Sequence, residues 1–299
     1  MDNKSYTYYK VYGLVIKSEL KLKELEETTS KKFDVIIEKG KVPENLENPE
    51  KVGVRFQAKK GELLLHVDNI AKFYIAKGSK IIIEDIETPD ISEIKLFLLG
   101  SVFGALIFQR GKVPFHGSTV LINGKAVIVS GVSGAGKSTV TAELVKRGYP
   151  IIADDVSLID IVDKKVCVFP GFARIKLWAD TLDLLKIDDK LEKIRPQLEK
   201  YSFPVDNYHN KKTEISNVII IKTKNTEGVT TEEIKGIEKF KIINNNIYRK
   251  QFAKPLKVEQ PQFRIISQLA AKAKLFVLER PNATNSVKEV ADCVISISK

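Results

Sequence analysis

The sequence predicts an α/β protein: a mixed-sheet α/β domain over 91–299, preceded by a small antiparallel β-rich module over 1–90. Three observations carry this. Short apolar runs punctuated by turns continue to about Pro89, a dense apolar helix follows over Ile91 to Gln109, and then a strand, a glycine-rich loop and a helix succeed one another over Ala126 to Lys146. At 299 residues the chain has room for two ordinary domains, each with a core of its own.

In the first part the strand-like runs are Tyr8 to Ile16, Phe33 to Ile37, Val52 to Gln57, Glu62 to Val67, Lys72 to Ala76 and Lys80 to Ile83. Turn signals such as Lys59-Lys60-Gly61 and Lys77-Gly78 separate them. His66 follows Leu63, Leu64 and Leu65 and is read as structural, with no role assigned. The next segment, Ile91 to Gln109, is too apolar for a surface helix and is expected to lie buried under the domain that follows. Gly100 and Gly104, four apart, would let another element approach closely. Its most apolar part, Leu96 to Phe108, is short for a bilayer and is bracketed by Lys95 and Arg110.

Val113 to Ile122 and Ala126 to Val129 flank Asn123-Gly124, a strong hairpin signal. The strand carrying His116 therefore runs antiparallel to the one that feeds the glycine-rich loop. That loop, Gly131-Val132-Ser133-Gly134-Ala135-Gly136-Lys137-Ser138-Thr139, fits GxxxxGK[ST] at every fixed position, with an apolar strand before it and a helix after it. Backbone N–H groups turned inward by glycine cradle phosphates, Lys137 reaches the outer ones, and the Ser138 hydroxyl suits Mg²⁺. The helix ends at Gly148-Tyr149-Pro150, and Ile151 to Ile159 reads as a strand holding Asp154 and Asp155. Adjacent carboxylates on a strand point to opposite faces, so only one of them faces the phosphates.

Composition sets limits. With 43% hydrophobic and 29% charged residues the chain reads as an ordinary globular protein, and its opening lacks the apolar core of a signal peptide. Cys167 and Cys293 lie far apart in unrelated contexts, which suggests neither a zinc site nor a disulfide framework and fits a reducing cytoplasm. The net charge of +11 comes from lysines spread along the whole chain, without a basic-aromatic patch. We therefore expect no nucleic acid and no membrane as partner, but a basic surface that favours acidic ones.

His116-Gly117, the loop Gly131 to Ser138, the phrase Leu144-Val145-Lys146-Arg147-Gly148-Tyr149 and the strand Ala153-Asp154-Asp155 together resemble, in order and spacing, the C-terminal catalytic domain of HPr kinase/phosphorylase. The resemblance is close over about 110–160 and loose to 295. It implies the phosphoenolpyruvate-carboxykinase-like P-loop fold and an ATP- and Mg²⁺-dependent serine kinase. Under it Gly131, Ser133, Gly134, Ala135, Gly136, Lys137, Ser138 and Thr139 hold the nucleotide, Asp154 is the general base with His116 beside it, and Ser138 and Asp155 serve the metal. Arg174 and Arg249 are candidates for neutralising the transferred phosphoryl group.

The chain departs from that family in two phrases. Ala173-Arg174-Ile175-Lys176-Leu177-Trp178 stands where the family has Glu-Ile-Arg-Gly-Leu-Gly, and Asn244 to Arg249 is the sole counterpart of the PxRPGRN-like phrase. These departures put phosphorolysis and the HPr substrate in doubt and bring the chain nearer to stand-alone relatives similar to lasso-peptide precursor kinases. The expected partner is a peptide or protein bearing the acceptor serine, docked on the β-rich module by strand addition, with assembly into a homo-oligomer. Competing readings are a nucleotide-dependent switch without a phosphorylated acceptor, and a phosphoenolpyruvate-dependent carboxykinase. The loop reads phosphates alone, so the sequence marks no pocket for the base.

Overall fold

The computed structural model describes residues 5–85, 90–185, 191–193, 199–225, 227–282 and 286–299. Pro89, at the end of the strand-like part, lies outside the described residues. The chain divides into two compact units: Met1–Pro114 with Arg249–Phe263, and Phe115–Tyr248 with Arg264–Lys299. The expected boundary at 90 is thus displaced, because the apolar helix belongs with the strands before it.

The first unit is built on a nine-stranded sheet of β1 (Thr7–Val11), β2 (Leu14–Ser18), β3 (Glu26–Glu27), β4 (Val35–Lys39), β5 (Lys51–Val52), β6 (Phe56–Lys59), β7 (Glu62–Val67), β8 (Ala71–Ala76) and β9 (Lys80–Asp85). Its order is β3-β1-β2-β4-β9-β8-β7-β6-β5. The expected run Tyr8 to Ile16 is in fact a hairpin, turned at Tyr12 and Gly13, both at positive φ. Most pairs are antiparallel, but β4 runs parallel to both β2 and β9, so the module is mixed where the sequence suggested antiparallel pairing throughout. His66 is exposed on β7.

After the sheet come α1 (Ile91–Phe97), a π-helical turn (Leu98–Val102) and α2 (Phe103–Gln109), together one 19-residue helix. Asp90 caps it, accepting a hydrogen bond from the Ser92 N–H at 2.8 Å. With a mean hydropathy of 1.8 it is long and apolar enough to cross a membrane, yet two thirds of it (67%) is buried inside the fold. It docks on the preceding strands: Gln109 Nε2 donates to the Ile75 carbonyl of β8 at 3.0 Å, and Arg110 donates to the Gly78 carbonyl at 2.7 Å. Phe103 meets Tyr12 edge-on, with ring centroids 6.4 Å apart. Later in the chain Phe252 returns to this unit, its ring 4.9 Å from that of Phe56.

The second unit holds another nine-stranded sheet, made of β10 (Val113–His116), β11 (Ser118–Ile122), β12 (Lys125–Gly131), β13 (Ile151–Ala153), β14 (Val156–Val162), β15 (Lys165–Phe169), β19 (Thr213–Lys224), β20 (Thr230–Ile234) and β21 (Lys274–Pro281). A three-stranded sheet of β16 (Arg174–Trp178), β17 (Glu192–Lys193) and β18 (Lys200–Pro204) stands beside it. The helices are α3 (Lys137–Lys146), α4 (Ala179–Leu185), α5 (Ile237–Asn245), α6 (Glu259–Lys272), which begins in the first unit, and α7 (Val287–Ile297).

As the Asn123-Gly124 signal predicts, β11 and β12 form an antiparallel hairpin, with Ser118 opposite Val129 and Ile122 opposite Lys125, but His116 is not on it: the chain breaks at Gly117, and His116 ends β10, which lies beside β14. On its other edge β12 runs parallel to β19, and β19 parallel to β21. The carboxyl ends of these three strands therefore point the same way, towards the loop that leaves β12. Helices α3 and α7 pack on this sheet through Val129, Val140, Leu144, Ile219, Leu278 and Val290, all fully buried or nearly so. Mixed pairing around a P-loop is the α/β architecture that the sequence predicts.

Because Phe103 is buried against Tyr12 inside the first unit, Phe103→Ala should lower the stability of that unit by about 3–5 kcal/mol, the usual cost of removing a buried phenyl group. Urea denaturation followed by circular dichroism measures it, and a loss under about 1 kcal/mol would mean that the helix is not a core element.

Candidate active site

The glycine-rich loop joins β12 to α3, and steric limits fix two of its residues. A Cβ on Gly131 would stand 2.4 Å from the Ile221 carbonyl oxygen of the parallel neighbour β19, so only glycine lets β12 end this close to β19. Gly136, at φ +96°, turns the chain into α3, and its missing side chain leaves room for the Arg280 guanidinium. Lys137 Nζ donates to the carbonyls of Gly131 at 2.9 Å and Val132 at 3.0 Å. Burial lowers its pKa from the ordinary lysine value.

A cleft of about 460 Å³ opens above the loop. On its floor are Ser133, Gly134, Gly136, Lys137, Ser138 and Thr139; around it stand His116, Asp155, Trp178, Lys200 and Arg280. Of the predicted loop residues, Gly131 and Ala135 support the turn from below without lining the cleft. Thr139 Oγ1 lies 3.0 Å from Thr181 Oγ1 at the start of α4, which ties the loop to that helix.

The two aspartates stand in different surroundings. Asp154 is buried: Oδ1 accepts from the Ser118 hydroxyl at 2.6 Å and Oδ2 from the Lys176 N–H at 2.9 Å. Burial, and then the neighbouring charge of Asp155, raise its pKa. Both oxygens of Asp154 are thus engaged inside the protein, and it does not line the cleft.

Asp155 lines the cleft. Its backbone is left-handed at φ +65°, a conformation that costs a non-glycine residue energy and turns its side chain away from that of Asp154. Oδ2 accepts from Lys176 Nζ at 2.9 Å, and Oδ1 lies 3.8 Å from His116 Nδ1. The Lys176 ammonium holds the Asp155 carboxyl far below the usual carboxylate range. Lys176 is itself desolvated, which opposes its charge, but Asp155 outweighs this and holds its pKa above the ordinary lysine value.

His116 Nδ1 lies 3.1 Å from the Asp155 carbonyl oxygen, which can only accept, so that nitrogen carries the proton and Nε2 keeps a lone pair. Burial lowers the pKa of the ring below its ordinary value, which favours the neutral form. The strand bearing His116 is held by Asn246, whose carbonyl accepts from the His116 N–H at 2.8 Å and whose Oδ1 accepts from the Ser130 hydroxyl at 3.0 Å. The His116 carbonyl lies closer to the same Ser130 hydroxyl, at 2.5 Å, so the two acceptors share its one proton. The Asn244 to Arg249 phrase thus reaches the site through Asn246.

The two predicted arginines are not in the cleft. Arg174 stands on β16 with its guanidinium 5.7 Å from the Phe172 ring, and Arg249 is an exposed residue of the first unit with φ +51°. The cleft arginine is Arg280, at the carboxyl end of β21, where Nε donates to the Ala135 carbonyl at 3.0 Å and Nη1 to the Pro281 carbonyl at 3.1 Å. The sequence carried a signal for it: the apolar run Leu275 to Leu278 ends in Glu279-Arg280-Pro281, and strand ends are where open α/β sheets place their ligand contacts. Lys176, Trp178 and Lys200 were also missed, because their positions depend on β16 pairing with β18.

Among known proteins, the model for the HPr Serine kinase C-terminal domain matches residues 110–174. HPr kinase/phosphorylase of Caldicellulosiruptor bescii is 42% identical over 57 residues, 19% of this chain and 18% of that protein. The same enzyme of Streptococcus pneumoniae is 36% identical over 88 residues, 29% of this chain and 24% of that protein. The chain thus spans less than a quarter of the length of either curated relative. The solved Hpr(Ser) kinase/phosphatase of Coxiella burnetii aligns over 62% of this chain and 90% of its own at 14% identity, with a TM-score of 0.33, too slight a likeness to bear on function. The matched segment runs from the helix end at Arg110, through the His116 strand, the loop and both aspartates, to Arg174, and over that segment the chain is HPr kinase-like.

Proposed function

We propose that this chain is a kinase that transfers the γ-phosphoryl group of ATP to a serine hydroxyl of a peptide or protein. The observation that carries this reading is one cleft that holds the phosphate loop, an ionised carboxylate and a neutral imidazole together. A base serves a water nucleophile as well as a serine hydroxyl, so a phosphorylated acceptor is what separates this reading from a nucleotide-hydrolysing switch.

In this reading Lys137 and Arg280 neutralise the phosphoryl oxygens, which supplies most of the rate enhancement in a loose transition state. Asp155 replaces Asp154 in the role that the family resemblance suggested. It orients the acceptor hydroxyl and takes its proton as the new O–P bond forms, while the bond to the β-phosphate breaks and its electron pair leaves with ADP. Ser138 and Asp155, expected to serve the metal, are both hard oxygen donors on the cleft wall, and Asp180 is a further carboxylate there. This donor set fits a Mg²⁺ that keeps several waters and binds mainly through phosphates. Ser138, with one of these carboxylates, would hold it, and the cation would offset charge on the phosphoryl oxygens. The acceptor has the nine-stranded sheet of the first unit to dock on, at its edge strands β3 or β5.

A second assignment of the base is favoured by one observation, the lone pair left on His116 Nε2. There His116 takes the proton and Asp155 serves the metal. The pH profile separates the two, since a base must be unprotonated to act. With Asp155 as base, kcat/KM stays level as pH falls from 7 to 5, because the Asp155 pKa is held far below that range. With His116 as base, the rate falls as pH drops through a pKa under the usual histidine value.

With labelled ATP, Mg²⁺ and serine-bearing peptides, Asp155→Asn should lower transfer by about 10²–10⁴-fold while ATP still binds. Retention of most of the rate would remove Asp155 from the mechanism, and no transfer by the unaltered chain, with ATP bound, would remove the kinase reading. Arg280→Gln should lower kcat by about 10²-fold with a smaller change in KM, measured in the same assay. An unchanged kcat would return Arg280 to a purely structural role.

A further inference from the structure

Beside the phosphate loop the cleft has a wall that phosphate chemistry does not explain. Trp178, the single tryptophan of the chain, ends β16, is 43% exposed and lines this cleft. An indole left this open on a cleft wall gives up burial worth more than that of most side chains. Its cross-strand partner in the β16–β18 register is Lys200, whose Nζ stands 5.3 Å from the ring centroid and steadies it. Leu184 of α4 and Val287 at the start of α7 add apolar surface to the same cleft.

The position of this wall along the loop indicates what it meets. The reacting end of the cleft is marked by Lys137, Asp155 and His116. The Trp178 wall continues into α4, and α4 is fastened through Thr181 to Thr139, the residue just past the metal-binding serine. In a loop of this kind the outer phosphates lie at the lysine and the inner ones farther along the backbone cradle. Trp178 and Leu184 line the same cleft on the α4 side, past Thr139, and Lys200 stands close enough to act on the charges of Lys137 and Asp155, so this wall lies within a nucleotide's length of the reacting end.

We propose that Trp178, steadied by Lys200 and flanked by Leu184, is the platform on which the base of the nucleotide stacks. This rests on the kinase reading and deepens it by naming what binds the nucleoside. A stacking face accepts any purine, so this wall distinguishes a nucleotide from a bare polyphosphate without distinguishing adenine from guanine.

The test compares ATP, GTP and inorganic tripolyphosphate by calorimetry on the full chain. Trp178→Leu should weaken ATP and GTP by about tenfold or more and leave tripolyphosphate unchanged, the size expected for loss of one base–aromatic stack. Trp178→Phe should restore most of the affinity. In the unaltered chain the single tryptophan gives a second readout: its fluorescence should be quenched by ATP but not by tripolyphosphate. Equal weakening of all three ligands by Trp178→Leu would overturn the inference, as would no weakening of ATP. A rise in KM for the acceptor peptide alone would overturn it too and give the ring to the acceptor. If the unaltered chain bound neither ATP nor tripolyphosphate, the kinase reading itself would fall; tripolyphosphate bound as tightly as ATP would remove the platform alone.

Discussion

The second unit is organised around one buried carboxylate. Asp154 is enclosed at the end of β13, where a polar group is tolerated only if its oxygens are satisfied, and they are satisfied by two different strands. Ser118 belongs to β11 of the main sheet; the Lys176 N–H belongs to β16 of the small one. Asp154 thus fastens the small sheet to the large one beside the phosphate loop. Together with the packing of Ile175 and Leu177 against Ala142 and Ile151, this clasp sets where β16 carries the Lys176 side chain and the Trp178 ring. The next residue, Asp155, is forced into left-handed backbone, and its carboxylate then faces the cleft.

Lys176 shows how a departure from a family phrase acquires meaning only in three dimensions. Its main chain holds one aspartate and its side chain the other, so a single residue keeps the two carboxylates apart in position and in charge. In sequence it is one lysine among many in a lysine-rich chain. Only the pairing of β16 with β18 and the approach of β16 to β13 turn it into a fixed cation in the site.

What was legible in the sequence was local. The loop, its strand and its helix, the Asn123-Gly124 hairpin and the buried apolar helix follow from spacing and turn chemistry between near neighbours. Which aspartate faces the phosphates was not legible, because alternation along a strand gives opposite faces without saying which is inside. Left-handed backbone at a non-glycine residue leaves no mark in the sequence either. Arg280 lies 145 residues from the loop carbonyl it binds, so only the parallel pairing of β12, β19 and β21 brings it there. The helix over Ile91–Gln109 was recognised as buried, but not its place on the strands before it, since apolar periodicity states that a face is covered and not by what.

Lys137 closes its own loop, with its ammonium on the carbonyls of Gly131 and Val132. The ammonium has three N–H donors, two of them engaged here, so a phosphate that draws on more than the third displaces a protein carbonyl and exchanges partners with it. The net gain is the difference between two charge-assisted contacts, not the whole of one. In the proposed kinase such an exchange would favour turnover, because the carbonyls that compete with an incoming triphosphate would reclaim the lysine once the diphosphate leaves.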